Sequence, residues 1–583
     1  MLAMTATEPP PGTSRDRVEV EDSLRERVAE AVTGAWQSAI AGGSLPPLPD
    51  DERSQVDVHV ERPAHPEHGD FATNLAMKLA RPYRRSPMAI AQTLAAELEG
   101  QIGREVGRTQ LADLITSVEV APPGFLNFRL SERALEATID RILSEPKSWG
   151  RRQAAIPQRV NVEFVSANPT GPLHIGNARG AFVGDLLARV LTAAGHEVSR
   201  EYYFNDFGAQ VSNLGASILA LRDGKDVPED GYRGSYVAEL AADLPPRLVE
   251  SAGTADDPAV VVGQWASERV RAGIEASLER LGVHFDVWKT EGSLHREGWV
   301  ERAVAKLREA GYVYERDGAT WFRSTDFGDD KDRVIYRSNG QPTYFAADIG
   351  YITEKFRRSF DHLVYVWGAD HHGTVARVRN AAKAMGYDRA AVEMLLIAWV
   401  RFVRDGREIS MSKRSGEFIT LDELLDEVGV DAARWFFASR GHTTGIDFDI
   451  ELAKKQSNEN PVYYVQYAHA RIASILRKAS ETGLSLADSV EGALSDEPEA
   501  GLARAVARLP DVVEDAAEAK ETQGITAFAT ELATTFHAFY RDARVVDPDE
   551  PNRSRGRLAL VAATQITLAN ALALLGISAP ELM

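Results

Sequence analysis

Two segments about 230 residues apart carry side chains that suit the phosphates of a nucleotide. The first, ANPTGPLHIGNARG, places His174 and Asn177 at a turn between a predicted strand and a predicted helix. The second, SMSKRSGEF, places Lys413 in a loop of serine, glycine and basic residues. An imidazole and an amide can hydrogen-bond phosphate oxygens as charge develops on them, and a lysine ammonium can follow a leaving pyrophosphate. The two segments together predict adenylate chemistry.

Each segment also has a simpler interpretation. A bare HIGN is weak evidence, because an ordinary strand–helix turn with a structural histidine has the same residues. The second segment, taken alone, is typical of a solvated loop. The longer first segment is more specific, since Gly171, Gly176 and Gly180 let the backbone approach a ligand closely. The N-terminus of the following helix also offers unpaired N–H groups to an anion.

Two predicted strand–helix units position these residues. Apolar residues alternate over 160–164 as in a strand, and they recur at helical spacing over 183–191. A second strand, over 363–366, leads through GADHHG into another helix. Strands that alternate with helices predict a parallel sheet covered on both faces. Ligands of such sheets bind beyond the carboxyl ends of the strands, so we expect His174 and GADHHG to face one crevice.

The 583 residues predict a multidomain α/β chain. Its predicted parts are a Rossmann-like parallel-sheet catalytic domain with an insertion, a small N-terminal α+β domain and a C-terminal all-α bundle. The insertion is indicated by a long helical stretch over about 214–310 and by hairpin turns at Asp317-Gly318 and Asn339-Gly340. The predicted boundaries are a disordered leader over 1–17, the N-terminal domain over 18–125, the catalytic domain over 126–455 with its insertion over about 214–335, and the bundle over 456–583.

The composition excludes some kinds of site. No cysteine occurs, so disulfides and thiolate metal sites are excluded. The N-terminus has no apolar core like that of a signal peptide, and we find no apolar run long enough to span a bilayer. The expected location is the cytoplasm, without a membrane partner. The formal net charge of −20 argues against a nucleic-acid partner, although basic clusters such as Arg81–Arg85 can act locally.

The two segments resemble the HIGH and KMSKS motifs of class I aminoacyl-tRNA synthetases. The resemblance is closest to the arginyl-tRNA synthetases and covers about residues 18–583. It extends to the segments VEFVSANPTGPLHIGNARGA, NDFGAQ, GADHHG, YVQYAHARI and SAPELM. Asn177 stands where HIGH has its last histidine, Ser410 where KMSKS has its first lysine, and Arg414 where KMSKS has its final serine. Lys413 is therefore expected to carry most of the role of its loop.

The resemblance implies that L-arginine is the amino acid activated. The residues implied to bind it are Glu163, Ser166, Asn168, Tyr344 and Asp348. A guanidinium suits carboxylates in planar, paired contact. If YFAAD is helical, Tyr344 and Asp348 lie four residues apart and face the same way. Lysine cannot satisfy such a fork-shaped site, which gives selectivity without editing.

The resemblance also implies ATP as a substrate. The residues implied to bind it are His174, Gly176, Asn177, Met411, Ser412, Lys413 and Arg414. Mg²⁺ is expected to accompany ATP, with no metal site fixed by the protein. Asp370, His371 and Gln210 are implied to lie near the active site without assigned roles. Two alternatives remain: a small-molecule adenylyltransferase, which shares the HIGH-type turn, and a metal-dependent phosphoesterase, which the DHH of GADHHG also marks.

The third implied substrate is tRNA(Arg), whose 3′-terminal ribose takes the arginyl group. The N-terminal domain is implied to bind the outer corner of the tRNA, with Phe71 and Asn74 as candidates. The helical domain is implied to bind the anticodon stem and loop, with Tyr467 and Arg471 as candidates, since unpaired bases stack on aromatic side chains. The resemblance further implies a monomer that forms adenylate only when tRNA is bound.

Overall fold

The computed structural model describes residues 23–102, 111–409, 419–487, 490, 492, 494 and 496–583. These residues fall into two compact units whose boundary in sequence lies between Arg129 and Leu130. The predicted leader lies outside the described residues.

The first unit combines a four-stranded antiparallel sheet with helices. Its helices are α1 (Leu24–Ala41), α2 (Asp50–Arg53), α3 (Leu75–Tyr83) and α4 (Pro87–Ile102). Its strands are β1 (Val60–Glu61), β2 (Phe71–Thr73), β3 (Ile115–Ala121) and β4 (Phe125–Leu130), in the order β1-β2-β4-β3. Helix α1 begins at a capping box in which Ser23 and Glu26 satisfy each other's backbone N–H groups. Trp36 donates to the hydroxyl of Tyr83 (2.9 Å), which joins α1 to α3 in the core.

The two residues of this unit that are predicted to bind tRNA differ in burial. Phe71 lies in β2 and is only 1% exposed, and its contact with tRNA stays a prediction. The sequence HGDFATN looks polar and loop-like, but Phe71 begins a buried strand within it. Asn74 lies half-buried at the N-terminus of α3. Its Oδ1 atom is buried and has no hydrogen-bond donor within the described part of the chain.

The second unit is built on a five-stranded parallel sheet in the order β12-β11-β5-β6-β7. Its strands are β5 (Arg159–Phe164), β6 (Glu197–Phe204), β7 (Val287–Thr290), β11 (His362–Gly368) and β12 (Val392–Ile397). The helices that follow β5 and β11 are α6 (Ile175–Ala193) and α14 (His372–Ala384). Gly184 lets α6 pack directly on β5, because a Cβ there would collide with the ring of Phe164. The predicted Rossmann-like sheet is confirmed.

The connection from β6 to β11 contains helices, a hairpin and one strand of the sheet. Its helices are α7 (Ala209–Arg222), α8 (Ser235–Ala242), α9 (Pro246–Ala252), α10 (Pro258–Arg280), α11 (Glu291–Arg296), α12 (Trp299–Glu309) and α13 (Tyr344–Arg357). Its further strands are β8 (Val313–Arg316), β9 (Ala319–Phe322) and β10 (Arg333–Tyr336). The predicted turn joins β8 to β9, with Asp317 and Gly318 both left-handed.

One prediction for this connection is wrong. The stretch 214–310, expected to be helical throughout, contains β7, which pairs with β6 in the parallel sheet. Strand β7 has only four residues, all half-buried, and its sequence VWKT shows too little alternation to be recognised. The boundaries of the insertion stay a prediction.

The rest of the second unit is a small sheet followed by helices. Strands β13 (Val400–Arg404), β14 (Arg407–Glu408) and β15 (Ile446–Asp449) form the sheet. The helices are α5 (Glu132–Ser144), α15 (Leu421–Val428), α16 (Val430–Ala438), α17 (Ile450–Lys454), α18 (Pro461–Glu481), α19 (Glu497–Val506), α20 (Leu509–Ala519), α21 (Gln523–Asp542) and α22 (Pro551–Leu575). The predicted helical C-terminal region is confirmed.

Helix α22 is long and apolar enough to cross a membrane by length and composition alone. It therefore contradicts the expectation that no such apolar run exists. In its most apolar window, 67% of the residues are buried inside the protein. A helix that is apolar on all sides is either a core helix or a membrane span, and the packing of α22 agrees with a core helix.

Candidate active site

The loop after β5 has a strained backbone at the carboxyl edge of the sheet. Val165 and Ser166 both adopt positive φ angles (67° and 42°), which non-glycine residues rarely do. The hydroxyl of Ser166 donates to Glu163 Oε1 (3.1 Å) and accepts from the backbone N–H of Tyr203 (3.2 Å). These contacts tie the loop to β5 and β6. Strain of this kind is typical of sites where a backbone must hold a ligand.

Asn168 and Gln210, both predicted at the site, contact each other. The Asn168 amide donates to Gln210 Oε1 (2.7 Å), and its own Oδ1 accepts from the backbone N–H of Asn205 (3.0 Å). The side chain of Asn168 therefore joins the loops that follow β5 and β6. The two loops form one edge of the crevice.

His174 and Asn177 cap the N-terminus of α6. His174 Nδ1 accepts from the backbone N–H of Gly176 (3.0 Å), and Asn177 Oδ1 accepts from the backbone N–H of His174 (3.3 Å). Gly176 allows this geometry, since a Cβ there would approach the imidazole at 2.7 Å. The cap orients both side chains at a helix N-terminus, where the helix dipole favours anions.

The second predicted nucleotide segment lies outside the described residues, so Met411, Ser412, Lys413 and Arg414 are not placed. The residues on either side of it are described. Ile409 donates to Phe402 of β13, which closes the preceding hairpin (2.9 Å). On the other side, Ile175 donates to Ile419 (3.1 Å) and Leu421 donates to Leu173 (2.9 Å). The second segment therefore leads directly into backbone that pairs with the residues around His174.

Arg179, within the first segment, was not recognised as important from the sequence. Its guanidinium is buried and donates to the carbonyls of Ala398 (2.9 Å) and Gly441 (2.8 Å). Burial lowers its pKa to about 10, so the group stays charged at neutral pH. Arg179 ties α6 to the chain that follows β12 and α16.

Glu163, the first predicted ligand of arginine, already has a cationic partner. Lys355 Nζ lies 2.6 Å from Glu163 Oε2, and both side chains are buried. Burial raises the pKa of Glu163, and Lys355 opposes that rise. Glu163 stays a predicted ligand of arginine, and its carboxylate is paired with the buried Lys355.

A second buried carboxylate, Glu201, is also paired within the protein. It accepts from Asn161 (2.8 Å), pairs with Arg358 (2.7 Å) and receives the hydroxyl of Tyr351. Burial acts to raise its pKa, but Lys355 and Arg358 together hold that pKa below its usual value. Glu201 is therefore ionised, and its carboxylate already has hydrogen-bond and ion-pair partners within the protein.

Asp348 is the carboxylate that remains open. It lies half-buried on α13 and has no hydrogen-bond or ion-pair partner among the described residues. Burial, with the nearby charges of Glu163 and Glu291, raises its pKa to about 7. Tyr344, one turn earlier on the same helix, is 72% exposed. The predicted helix and the i, i+4 spacing are thus present, and an unpaired acid lies where a cation would be stabilised.

Glu291 is a second acid at this site that the sequence did not reveal. It begins α11, its pKa is raised by burial, and it shares a hydrogen bond with Tyr203. His295 Nε2 lies 3.9 Å away. A glutamate after Thr290 looks like an ordinary helix start in the sequence, so no local signal separates it from a capping residue. The charge of Glu291 contributes to the raised pKa of Asp348, and we refer to these two residues as the acidic pair.

Asp370 and His371 lie at the same carboxyl edge, after β11. They form a single 3₁₀ turn, in which His371 Nε2 lies 3.7 Å from Asp370 Oδ2. Both side chains are exposed. Within the described part of the chain, no group of three or more histidines, aspartates or glutamates is arranged to hold a metal ion.

Tyr467 and Arg471 lie on one surface formed by α18 and α21. The guanidinium of Arg471 lies 4.4 Å from the ring centre of Tyr540 and 6.0 Å from that of Tyr467. Tyr463 stacks parallel to Tyr467 (6.4 Å). These side chains are half-buried. The surface has the mixture of aromatic rings and positive charge that suits stacked bases.

Known proteins match the chain along its whole length. The family models matched are the arginyl tRNA synthetase N terminal domain over 20–130, the class I (R) tRNA synthetase catalytic domain over 138–229 and 264–441, and the DALR anticodon binding domain over 465–583. An arginine–tRNA ligase of Citrifermentans bemidjiense is 44% identical over 574 residues, which is 97% of this chain and all of that protein. The chain belongs to the arginyl-tRNA synthetase family.

Other relatives agree with this assignment to the arginyl-tRNA synthetases. An arginine–tRNA ligase of Moorella thermoacetica is 45% identical over 581 residues, covering 97% of this chain and all of that protein. The solved structure of Thermus thermophilus arginyl-tRNA synthetase is similar with a TM-score of 0.74 and 25% identity. The similarity covers 96% of this chain and all of that one. The predicted family and fold class are confirmed.

Proposed function

We propose that this chain is an arginine–tRNA ligase, a class I aminoacyl-tRNA synthetase. The carboxylate of arginine attacks the α-phosphate of ATP, which forms arginyl-adenylate and releases pyrophosphate. A hydroxyl of the 3′-terminal ribose of tRNA(Arg) then takes the arginyl group and releases AMP. Full-length similarity to arginine–tRNA ligases supports this activity. The acidic pair of Asp348 and Glu291 is the structural observation that supports the choice of arginine.

ATP is proposed to bind at the N-terminus of α6. His174, Gly176 and Asn177 face its phosphates there, and their cap holds donors in position before charge develops. Met411, Ser412, Lys413 and Arg414 are proposed to close over the same phosphates, since backbone next to their segment pairs with residues around His174. Mg²⁺ enters with ATP as part of the substrate. Gln210, Asp370 and His371 are proposed to lie near the bound substrates at the same edge of the sheet.

Arginine is proposed to bind with its guanidinium against Asp348 and Glu291. Two carboxylates can each accept from the guanidinium fork, whereas a lysine ammonium would leave acceptors unpaired. Tyr344, exposed one turn before Asp348, covers the side chain of the substrate. Ser166 and Asn168, on the strained loop, hold the α-amino and α-carboxyl groups. Glu163, whose carboxylate is paired with Lys355, stays a proposed ligand of arginine.

The tRNA is proposed to contact both units of the chain. In the N-terminal domain, proposed over 18–125, Phe71 and Asn74 are the candidates for this contact. In the helical domain, proposed over 456–583, Tyr467 and Arg471 stack on anticodon-loop bases. The catalytic domain is proposed to extend over 126–455. We further propose a monomeric cytoplasmic protein that requires tRNA to form adenylate.

Pyrophosphate exchange tests this function. The purified chain is incubated with ATP, labelled pyrophosphate and each amino acid in turn, with and without tRNA(Arg). Exchange is expected with arginine alone among the amino acids and only when tRNA is present. If another amino acid supports exchange while arginine does not, the proposal that Asp348 and Glu291 bind arginine would be overturned. Exchange with arginine that is independent of tRNA would overturn the tRNA requirement alone.

A further inference from the structure

A cavity of about 300 Å³ lies far from the carboxyl edge of the parallel sheet. It is lined by residues from the C-terminal ends of α6 and α22 and from the segment 147–151. His174 caps the opposite end of α6, 18 residues before Thr192, which lines the cavity. At 1.5 Å per residue this separation is roughly 27 Å along the helix. The cavity is therefore distinct from the proposed ATP and arginine sites.

The lining of the cavity is positively charged. Its ionisable members are all basic, namely Lys147, Arg151, Arg189 and Arg200. The side chains of Lys147 and Arg151 are exposed and form no hydrogen bond or ion pair among the described residues. This concentration of cations occurs in a chain whose formal net charge is −20. A concave surface lined by one sign of charge attracts ions of the opposite sign.

One buried carboxylate, that of Asp185, pairs with two of these lining arginines and with a third arginine. Asp185 on α6 is buried and pairs with Arg189 (2.7 Å), with Arg200 (3.6 Å) and with the buried Arg434. One negative charge therefore faces three positive charges. Arg189 also donates to the carbonyls of Gly282 (3.1 Å) and Ala573 (3.4 Å), which orients its guanidinium. The excess charge is held in place before any ligand arrives.

Trp149 adds a buried donor without an acceptor. Trp149 is one of the residues that line the cavity and is 7% exposed, and its indole Nε1 has no hydrogen-bond partner within the described part of the chain. Asn570 donates to the carbonyls of Pro146 (2.8 Å) and Trp149 (2.9 Å), which fixes this segment against α22. A buried donor that stays unpaired costs free energy. The ionisable residues that line the cavity are thus basic, with an unpaired buried donor among the lining residues.

We propose that this cavity binds a compact phosphate-bearing anion, of the size of pyrophosphate or a mononucleotide. Phosphate oxygens accept several hydrogen bonds at once, which suits both the arginine forks and the lysine ammonium. The unpaired indole N–H of Trp149 is proposed as a further donor to this anion. A volume of about 300 Å³ lies at the lower end of the range for small-molecule sites. A bound anion would join α6 to α22, because both helices line the site.

Calorimetric titration of the full chain with pyrophosphate at low ionic strength tests the site, because exposed charges are then least screened. The test variant is Lys147→Ala/Arg151→Ala. The charge-matched control is Lys225→Ala/Arg316→Ala, which removes two exposed cations elsewhere. We expect the test variant to bind pyrophosphate at this site at least about tenfold more weakly, since a hydrogen bond to a charged group contributes this much. Equal affinity of the test and control variants would overturn the proposal.

A second variant separates this site from the proposed ATP site. His174→Ala/Asn177→Ala alters the N-terminus of α6 and should leave the binding that depends on Lys147 and Arg151 intact. Loss of all pyrophosphate binding in that variant would overturn a separate site. The inference does not rest on the proposed function, because it predicts binding whether or not arginine is activated.

Two further measurements identify the ligand. Trp149→Phe keeps the ring but removes the N–H, and we expect a several-fold weaker affinity for pyrophosphate with an unchanged circular dichroism spectrum. An unchanged affinity would overturn the role of the indole. Filter binding of tRNA should be the same for Lys147→Ala/Arg151→Ala and its control. A weaker affinity for tRNA, together with unchanged pyrophosphate binding, would assign the cations to an RNA backbone and overturn the small-anion assignment.

Discussion

The substitution Asp348→Asn should weaken the use of arginine and stabilise the protein at the same time. The amide keeps the size of the carboxylate, so packing is preserved while the charge is lost. Asp348 is half-buried without a partner, and its pKa is raised to about 7 from an ordinary value of 3.8. This difference of about 3 pH units corresponds to about 4 kcal/mol at most. The unpaired carboxylate of Asp348 is thus expected to reduce the stability of the protein when no arginine is bound.

The sign of the pH dependence follows from this raised pKa. Below about pH 4 the carboxyl is protonated in both the folded and the unfolded chain and has no effect. Between about pH 4 and pH 7 the unfolded chain loses the proton while the folded chain retains it, so wild-type stability falls as pH rises. Above pH 7 the loss is complete. The advantage of Asp348→Asn over wild type should therefore grow by about 3 kcal/mol between pH 5 and pH 8.

Urea unfolding at these two pH values measures the stability effect. Asp317→Asn, at a residue whose side chain is 87% exposed, serves as the matched control and should change stability little at either pH. Exchange kinetics measure the functional effect. The KM for arginine should rise at least about thirtyfold, because one partner of a desolvated charge pair is removed. The KM for ATP should stay within about twofold.

The pH dependence of arginine binding gives an independent readout. Arginine pairs with the ionised form of Asp348, so the wild-type KM for arginine should rise as pH falls below about 7. The Asn variant should lose this dependence. The reasoning fails if Asp348→Asn is no more stable than wild type at pH 8, or if its KM for arginine is unchanged.

Three further substitutions test other parts of the structure. Lys355→Met leaves Glu163 buried without its partner and should lower the free energy of unfolding, measured in urea, by about 3–5 kcal/mol. Lys355→Met/Glu163→Gln should recover most of this loss. Equal stability of the two variants would contradict a stabilising role of the ion pair. Gly184→Ala should lower the thermal midpoint, since overpacking against Phe164 costs about 1–3 kcal/mol; an unchanged midpoint would show that α6 can shift. Tyr467→Ala should raise the KM for tRNA without changing the KM for ATP, and an unchanged tRNA KM would remove this residue from the tRNA surface.

Local patterns were sufficient to predict much of the fold. The strand β5, the helix that begins after His174 and the turn at Asp317-Gly318 each depend on hydrogen bonds and dihedral angles within a few residues. The placement of Asp348 one turn after Tyr344 on α13 is local in the same way. Strand β7 was missed because four half-buried residues contain too little periodicity to distinguish them from the helices around them.

The amino-acid sequence by itself determined the motifs, the family and the order of the α/β and helical regions. Only the tertiary structure decided which acids are available to a substrate. Lys355, which lies 192 residues further along the chain, pairs with Glu163. The charge of Glu291 raises the pKa of Asp348, although nothing in the sequence links these two positions. Whether a carboxylate is paired or open depends on charges that folding brings together and on the water that burial removes. Such partners are set by three-dimensional packing, which no spacing along the chain records.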